Sequence, residues 1–195
     1  MLRKTLLRAL CLPLVAVMSL TATPAWAADT YALDLSHSSF IFRVKHLGVS
    51  YSYGRFNDAS GSFTIDEADP SKNAIEIEIK TASVDTYNEG RDKHLRNPDF
   101  FNSTEFPTMT FKSTAFKKKE GNLYEVTGDF TLLGVTKSIT AEAELVGVGK
   151  GMKGEQRAGW DAVFTIDRTD FGMNYGQEGI GKEVRIIVGI EGIKK

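Results

Sequence analysis

The densest run of side chains able to do chemistry is "RDKHLRNPDFF", residues 91–101. Arg91, Asp92, Lys93, His94 and Arg96 crowd together ahead of Asn97-Pro98-Asp99 and two phenylalanines. On a helix, three- and four-residue spacing puts Arg91, His94 and Leu95 on one face. It also pairs Asp92 with Arg96 as an exposed ion pair, worth about 0.2–1 kcal/mol. Three readings follow. The block caps and pins a lid, with Leu95, Phe100, Phe101 and Phe106 packing it down. Or Arg91 or His94 donates to the polar head of a ligand. Or Arg91, Asp92 and His94 act on such a head as acid–base machinery. The first is favoured, and no catalytic residue is assigned.

Other chemistry finds little support. The three histidines are His37, His46 and His94. No His-x-His, His-Glu-x-x-His or cysteine pair accompanies them, so no metal site is expected. No Gly-x-Ser-x-Gly elbow is present. "DFG" at 170–172 lacks the glycine-rich loop, strand lysine and catalytic loop that would make it a phosphoryl-transfer motif. "NST" at 102–104 is a glycosylation sequon, relevant only in a eukaryotic secretory route. Arg168 and Asp170 read as a strand-end ion pair.

The segment 1–27 resembles a secretory signal peptide. Arg3, Lys4 and Arg8 precede the apolar Ala9–Leu20, and Ala25-Trp26-Ala27 is a small-x-small cleavage site. Its loss would remove the only cysteine, Cys11, and three of the 24 basic residues. The net charge then moves from −1 to about −4, which favours solubility and argues against a nucleic-acid footprint. The remaining chain, residues 28–195, is long enough for one domain and contains no disulfide. It also contains no apolar run long enough to span a bilayer as a helix.

The elements that must position these residues are strands. Apolar and polar residues alternate through 31–46, 53–65, 74–80, 108–116, 123–132, 138–145, 158–166 and 183–190, giving eight. "AIEIEIK" is the clearest case. Parity flips near Ser36–Ser39, as a bulge would cause, and again at Asn57-Asp58. Turn signals fall at "KKKEGN", "LGVT" and "GVGKGMKGE". The one helical segment, 87–102, opens at Asn88 as cap and breaks at Pro98. The expected fold is all-β: an eight-stranded antiparallel barrel with one short helical insertion between strands three and four.

Such a barrel is just wide enough to fill with side chains or to hold a small ligand. Inward positions mix small residues (Gly61, Ala115, Gly128, Ala141, Ala143, Ala158, Ala162) with large aromatic ones. That mixture fits either a tapered packed core or an elongated apolar slot. If hollow, the slot is expected to be lined by Phe40, Phe42, Val44, Phe56, Phe63, Ile77, Phe111, Phe130, Trp160 and Phe164.

The order of motifs resembles the YceI-like family along the whole of residues 28–195. "YALDLSHSSFIFRVKHLGVSYSYGRF", "IEIEIKTASVDT", "RDKHLRNPDFFNSTEFPTMTF", "VTGDFTLLGVTKSIT" and "IDRTDFGM" carry the likeness together. The resemblance implies a lipocalin-like barrel in the bacterial periplasm. It implies a long apolar cavity for a polyisoprenoid chain, such as an isoprenoid quinone tail, with no catalytic cofactor and no enzymatic activity. The partners compatible with it are a prenyl lipid, an inner-membrane quinone-handling protein and a second copy of the chain. An enzyme acting on a lipid head group and a cavity-free secreted stress or interaction protein are the rival readings.

Overall fold

Each of the eight alternating segments forms a strand in the computed structural model, which describes residues 28–195. The expected leader, residues 1–27, lies outside the described residues. Three of the eight are interrupted, so eleven strands build eight staves. The first stave is β1 (Asp29–Leu33) and β2 (Ser39–His46), separated by a 3-10 turn at Leu35–His37 rather than by a bulge. Asp34 caps that turn by accepting from Ser36 N. The second is β3 (Ser50–Phe56) and β4 (Ala59–Ile65), broken at Asn57-Asp58. The third is β5 (Ala74–Lys80) and β6 (Val84–Asp85). Then come β7 (Thr108–Lys118), β8 (Leu123–Leu132), β9 (Val135–Lys150), β10 (Gln156–Asp167) and β11 (Ile180–Lys194).

All the pairings are antiparallel. The sheet runs β1-β4-β5-β7-β8-β9-β10-β11 and closes when β11 pairs again with β1. Closure removes the exposed sheet edges that open sheets must protect. Towards one end, β11 leaves β1 and pairs with β2, which continues the sheet through β3 to the short β6. The helix α1 (Glu89–Leu95) follows β6, between the third and fourth staves. Asn88 caps it by accepting from Arg91 N.

Two hairpins turn on a leucine–glycine pair with positive φ at both positions: Leu47-Gly48 and Leu133-Gly134. That is the type I′ geometry matched to strand twist, in which Asn-Gly is the favoured pair. Inside the barrel, Gly54 and Gly128 let phenyl rings lie flat on the sheet. A Cβ at either would collide with Phe42 or Phe111, respectively.

Three register shifts interrupt the sheet, and one of them falls inside the expected strand 108–116. A register shift between Ser113 and Ala115 turns Ala115 outward and Phe116 inward. Simple alternation places Ala115 inside, and the bulge reverses it.

Candidate functional site

The barrel is hollow. A cavity of about 480 Å³ runs through it, inside the range of about 300–1,000 Å³ typical of small-molecule sites. The packed-core alternative is therefore set aside.

The walls come from the inward positions of most staves. Of the residues expected to line the slot, Phe40, Phe42, Val44, Phe56, Ile77, Phe111, Phe130, Trp160 and Phe164 all face the cavity, and so do Arg91 and His94. Phe63 does not. It is 1% exposed and stacks on Tyr31 with ring centroids 5.2 Å apart. The cause is topological: Phe63 pairs with Tyr31 across β4 and β1, and Tyr31 lies opposite Lys194, past the level of Trp160 and Ile190. Smaller wall positions, Ala141, Ala143 and Ala162, keep the space open. Val184, Ile186 and Val188 of β11 complete one side.

One end is closed by rings. Trp160 packs against Tyr124 (5.1 Å between centroids) and Phe116 (5.7 Å), forming a floor. The Trp160 indole nitrogen is buried there without a hydrogen-bond acceptor. Outside the floor, Arg157 donates to Asp34 at 2.8 Å and Glu155 at 2.7 Å, and also to Glu191. His37 adds a contact to Asp34 at 2.9 Å. Asp34, His37 and Glu191 converge closely enough for a cation, and the guanidinium of Arg157 holds two of these three side chains. Hydrogen bonds from Ser36, His37 and Arg157 hold the Asp34 carboxyl well below its ordinary range.

The other end carries nearly all the polar wall atoms: His46, Ser52, Tyr53, Thr86, Arg91, His94, Arg168 and Tyr175. Here the block 91–101 shows its geometry. Asp92 is buried and accepts from both the N–H (2.8 Å) and the hydroxyl of Thr86. Arg91 grips the same residue, donating to Thr86 Oγ1 at 2.7 Å and to its carbonyl at 2.6 Å. The expected Asp92–Arg96 pair does not form; Arg96 reaches the carbonyls of Ala82 and Val84 instead. His94 meets Asp99 at 2.8 Å and packs edge-on against Phe100 and Tyr175. Phe101 wedges against Phe42 and Phe56 beneath the helix. The block is thus a clamp and lid whose inner face, Arg91, His94 and Leu95, looks into the cavity.

Arg168 departs from the sequence reading too. It is 2% exposed and pairs with no carboxylate. It donates instead to the carbonyls of Met173 (2.7 Å), Gly181 (2.9 Å) and Ile180 (3.0 Å), fixing the loop before β11, while Asp170 is exposed. Burial pulls its pKa down from the ordinary guanidinium value, opposed by nearby Asp167. Alternation could reveal neither this nor the lining role of Met173 and Tyr175, which sit in a loop.

An antiparallel barrel with an apolar, roofed interior and a polar rim at one end is a ligand-enclosing barrel. A family model described as a YceI-like domain matches residues 31–192, and the chain belongs to the YceI-like family. A UPF0312 protein of Pseudomonas aeruginosa is 45% identical over 177 residues, covering 90% of this chain and 92% of that one. A crystal structure of the Campylobacter jejuni YceI protein superposes with a TM-score of 0.70 at 33% identity, covering 77% of this chain and 90% of that one. A polyisoprenoid-binding domain from Saccharophagus degradans, at 18% identity, shares the fold with a TM-score of 0.66, covering 85% of this chain and 98% of that one.

Proposed function

We propose that this protein binds a polyisoprenoid chain, such as an isoprenoid quinone tail or a similar long amphiphile, inside the barrel and serves as its carrier or buffer in the periplasm. The observation that carries this is the cavity itself: apolar along its walls, closed by rings at one end and polar only at the other. The fold shared with a polyisoprenoid-binding domain supports it. So does the signal-peptide-like segment 1–27. At roughly 0.8 kcal/mol per buried methylene, each five-carbon unit gains on the order of 3–4 kcal/mol. Ordering the flexible chain returns part of that.

In this reading the tail occupies the space between Phe40, Phe111, Phe164 and Ile186, and the head stays near Arg91 and His94. The protein does no chemistry on the ligand. Arg91 and Asp92 are engaged with Thr86, which supports a structural and binding role for them over acid–base work.

Organic extraction of the purified protein followed by mass spectrometry should release a prenyl lipid. Ala162→Phe, which puts a ring into the cavity, should release at least about tenfold less while the barrel stays folded. Repeatedly clean extracts from the native protein would overturn the proposal.

A further inference from the structure

The rim of the cavity carries apolar side chains that the fold does not use. Leu47 is 63% exposed and Val49 83%, at the tip of the β2–β3 hairpin. Tyr51, Tyr53, Tyr87 and Tyr175 are exposed around the same opening. His46, Tyr53 and Tyr175 also line the cavity, so the patch is continuous with its mouth.

Two of these residues occupy costly backbone conformations. Leu47 (φ 50) and Tyr87 (φ 60) lie in the left-handed region, which bulky residues avoid. The other leucine turn shows what such a choice normally accompanies. Leu133 has the same conformation and packs against the core. Leu47 has the conformation without the packing.

The charges interleaved with the hairpin part of the patch are all basic. Residues 43–55, "RVKHLGVSYSYGR", contain Arg43, Lys45, His46 and Arg55 and no carboxylate. Arg43 lies over the Tyr51 ring at 4.4 Å and Arg55 over Tyr87 at 5.2 Å. Of the carboxylates on neighbouring strands, Asp85 is already taken by Arg55 and Asn57, and Glu183 stands beside Val184, the partner of Val44. At the mouth, Asp99 is taken by His94. Tyrosines and cations around projecting aliphatic side chains are the composition of a membrane–water interface.

We propose that this rim is a docking surface for a lipid bilayer bearing anionic head groups. Leu47 and Val49 enter the head-group layer, the tyrosines lie at its boundary, and Arg43 and Lys45 meet lipid phosphates. The mouth of the barrel then opens directly onto the bilayer. This goes beyond the cavity's contents, and the test keeps the two apart.

The test is co-sedimentation with prenyl-free vesicles of phosphatidylethanolamine and phosphatidylglycerol. The informative variant is Leu47→Asn/Val49→Ser. Asparagine is favoured at the first centre of this turn, so the hairpin keeps or gains stability while losing its apolar tip. Its vesicle partition should fall by about tenfold or more, and added salt should weaken binding by the native protein. Met152→Asp, at the opposite pole, should change nothing. Farnesol retained in vesicle-free solution should be the same for native protein and rim variant. A native protein that stays in the supernatant, a rim variant that sediments normally, or equal loss with Met152→Asp would each overturn the docking surface. Loss of farnesol binding in every form, with vesicle binding intact, would instead sink the cavity reading alone.

Discussion

Two arginines mark the ends of β10 in opposite electrostatic settings. Arg157, beside the closed floor, is surrounded by Glu191, Glu155 and Asp34, whose hydrogen bonds push its pKa up. Arg168, beside the mouth, is more deeply buried yet meets only backbone carbonyls. Aromatic rings divide the same way. Phe116, Tyr124 and Trp160 satisfy one another at the floor, whereas Phe111 and Phe164 present their faces to open space. The same residue types therefore seal one pole and furnish the other. What differs is whether the opposite staves supply a partner.

The floor is the place where the contrast should break most violently. Trp160→Ala should cost about 3–5 kcal/mol in urea denaturation, as for other buried large-to-alanine changes. It should also deepen the cavity, so that longer prenols gain over shorter ones in competition. A loss below about 1 kcal/mol would mean the three rings do not form a packed floor.

A smaller effect separates the two arginines. Arg168→Gln strands buried carbonyls and should cost about 1–3 kcal/mol, nearly unchanged in high salt. Arg157→Gln should cost less, and its cost should fall further as salt screens the partly exposed carboxylates around it. Equal salt dependence would erase the distinction.

The smallest effect is a pH limb. Hydrogen bonds from Ser36, His37 and Arg157 depress the Asp34 carboxyl below its ordinary value of 3.8. A depressed carboxyl contributes its full stability above that ordinary value, and the contribution drains away as pH falls towards the folded one. Asp34→Asn should therefore flatten the acid limb of Tm against pH below about 4, leaving the neutral region the same shape.

Much of this architecture was legible in the sequence, because a barrel writes its inside and outside into period-two alternation. The eight staves, their antiparallel closure and the Asn88 cap follow from local pattern alone. The failures share one physical origin. Alternation cannot see the bulge that turns Ala115 out and Phe116 in. Nor can it see that Phe63 lies past the floor, stacked on Tyr31 instead of facing the cavity. Charged partners were the least legible. Asp92 bonds Thr86 and Arg168 bonds Met173, Gly181 and Ile180, choices made by how the lid and the last loop settle on the barrel. Most of the cavity wall came from pattern. The clamp came only from tertiary packing.

Closure by β11 has a practical corollary. Lys194 pairs with Tyr31 and reaches Asp29 at 2.6 Å, so the two ends of the described residues lie side by side at the sealed pole. An affinity handle, dye or surface tether attached to either one would point away from the opening. Immobilised that way, every molecule would present its entrance outward.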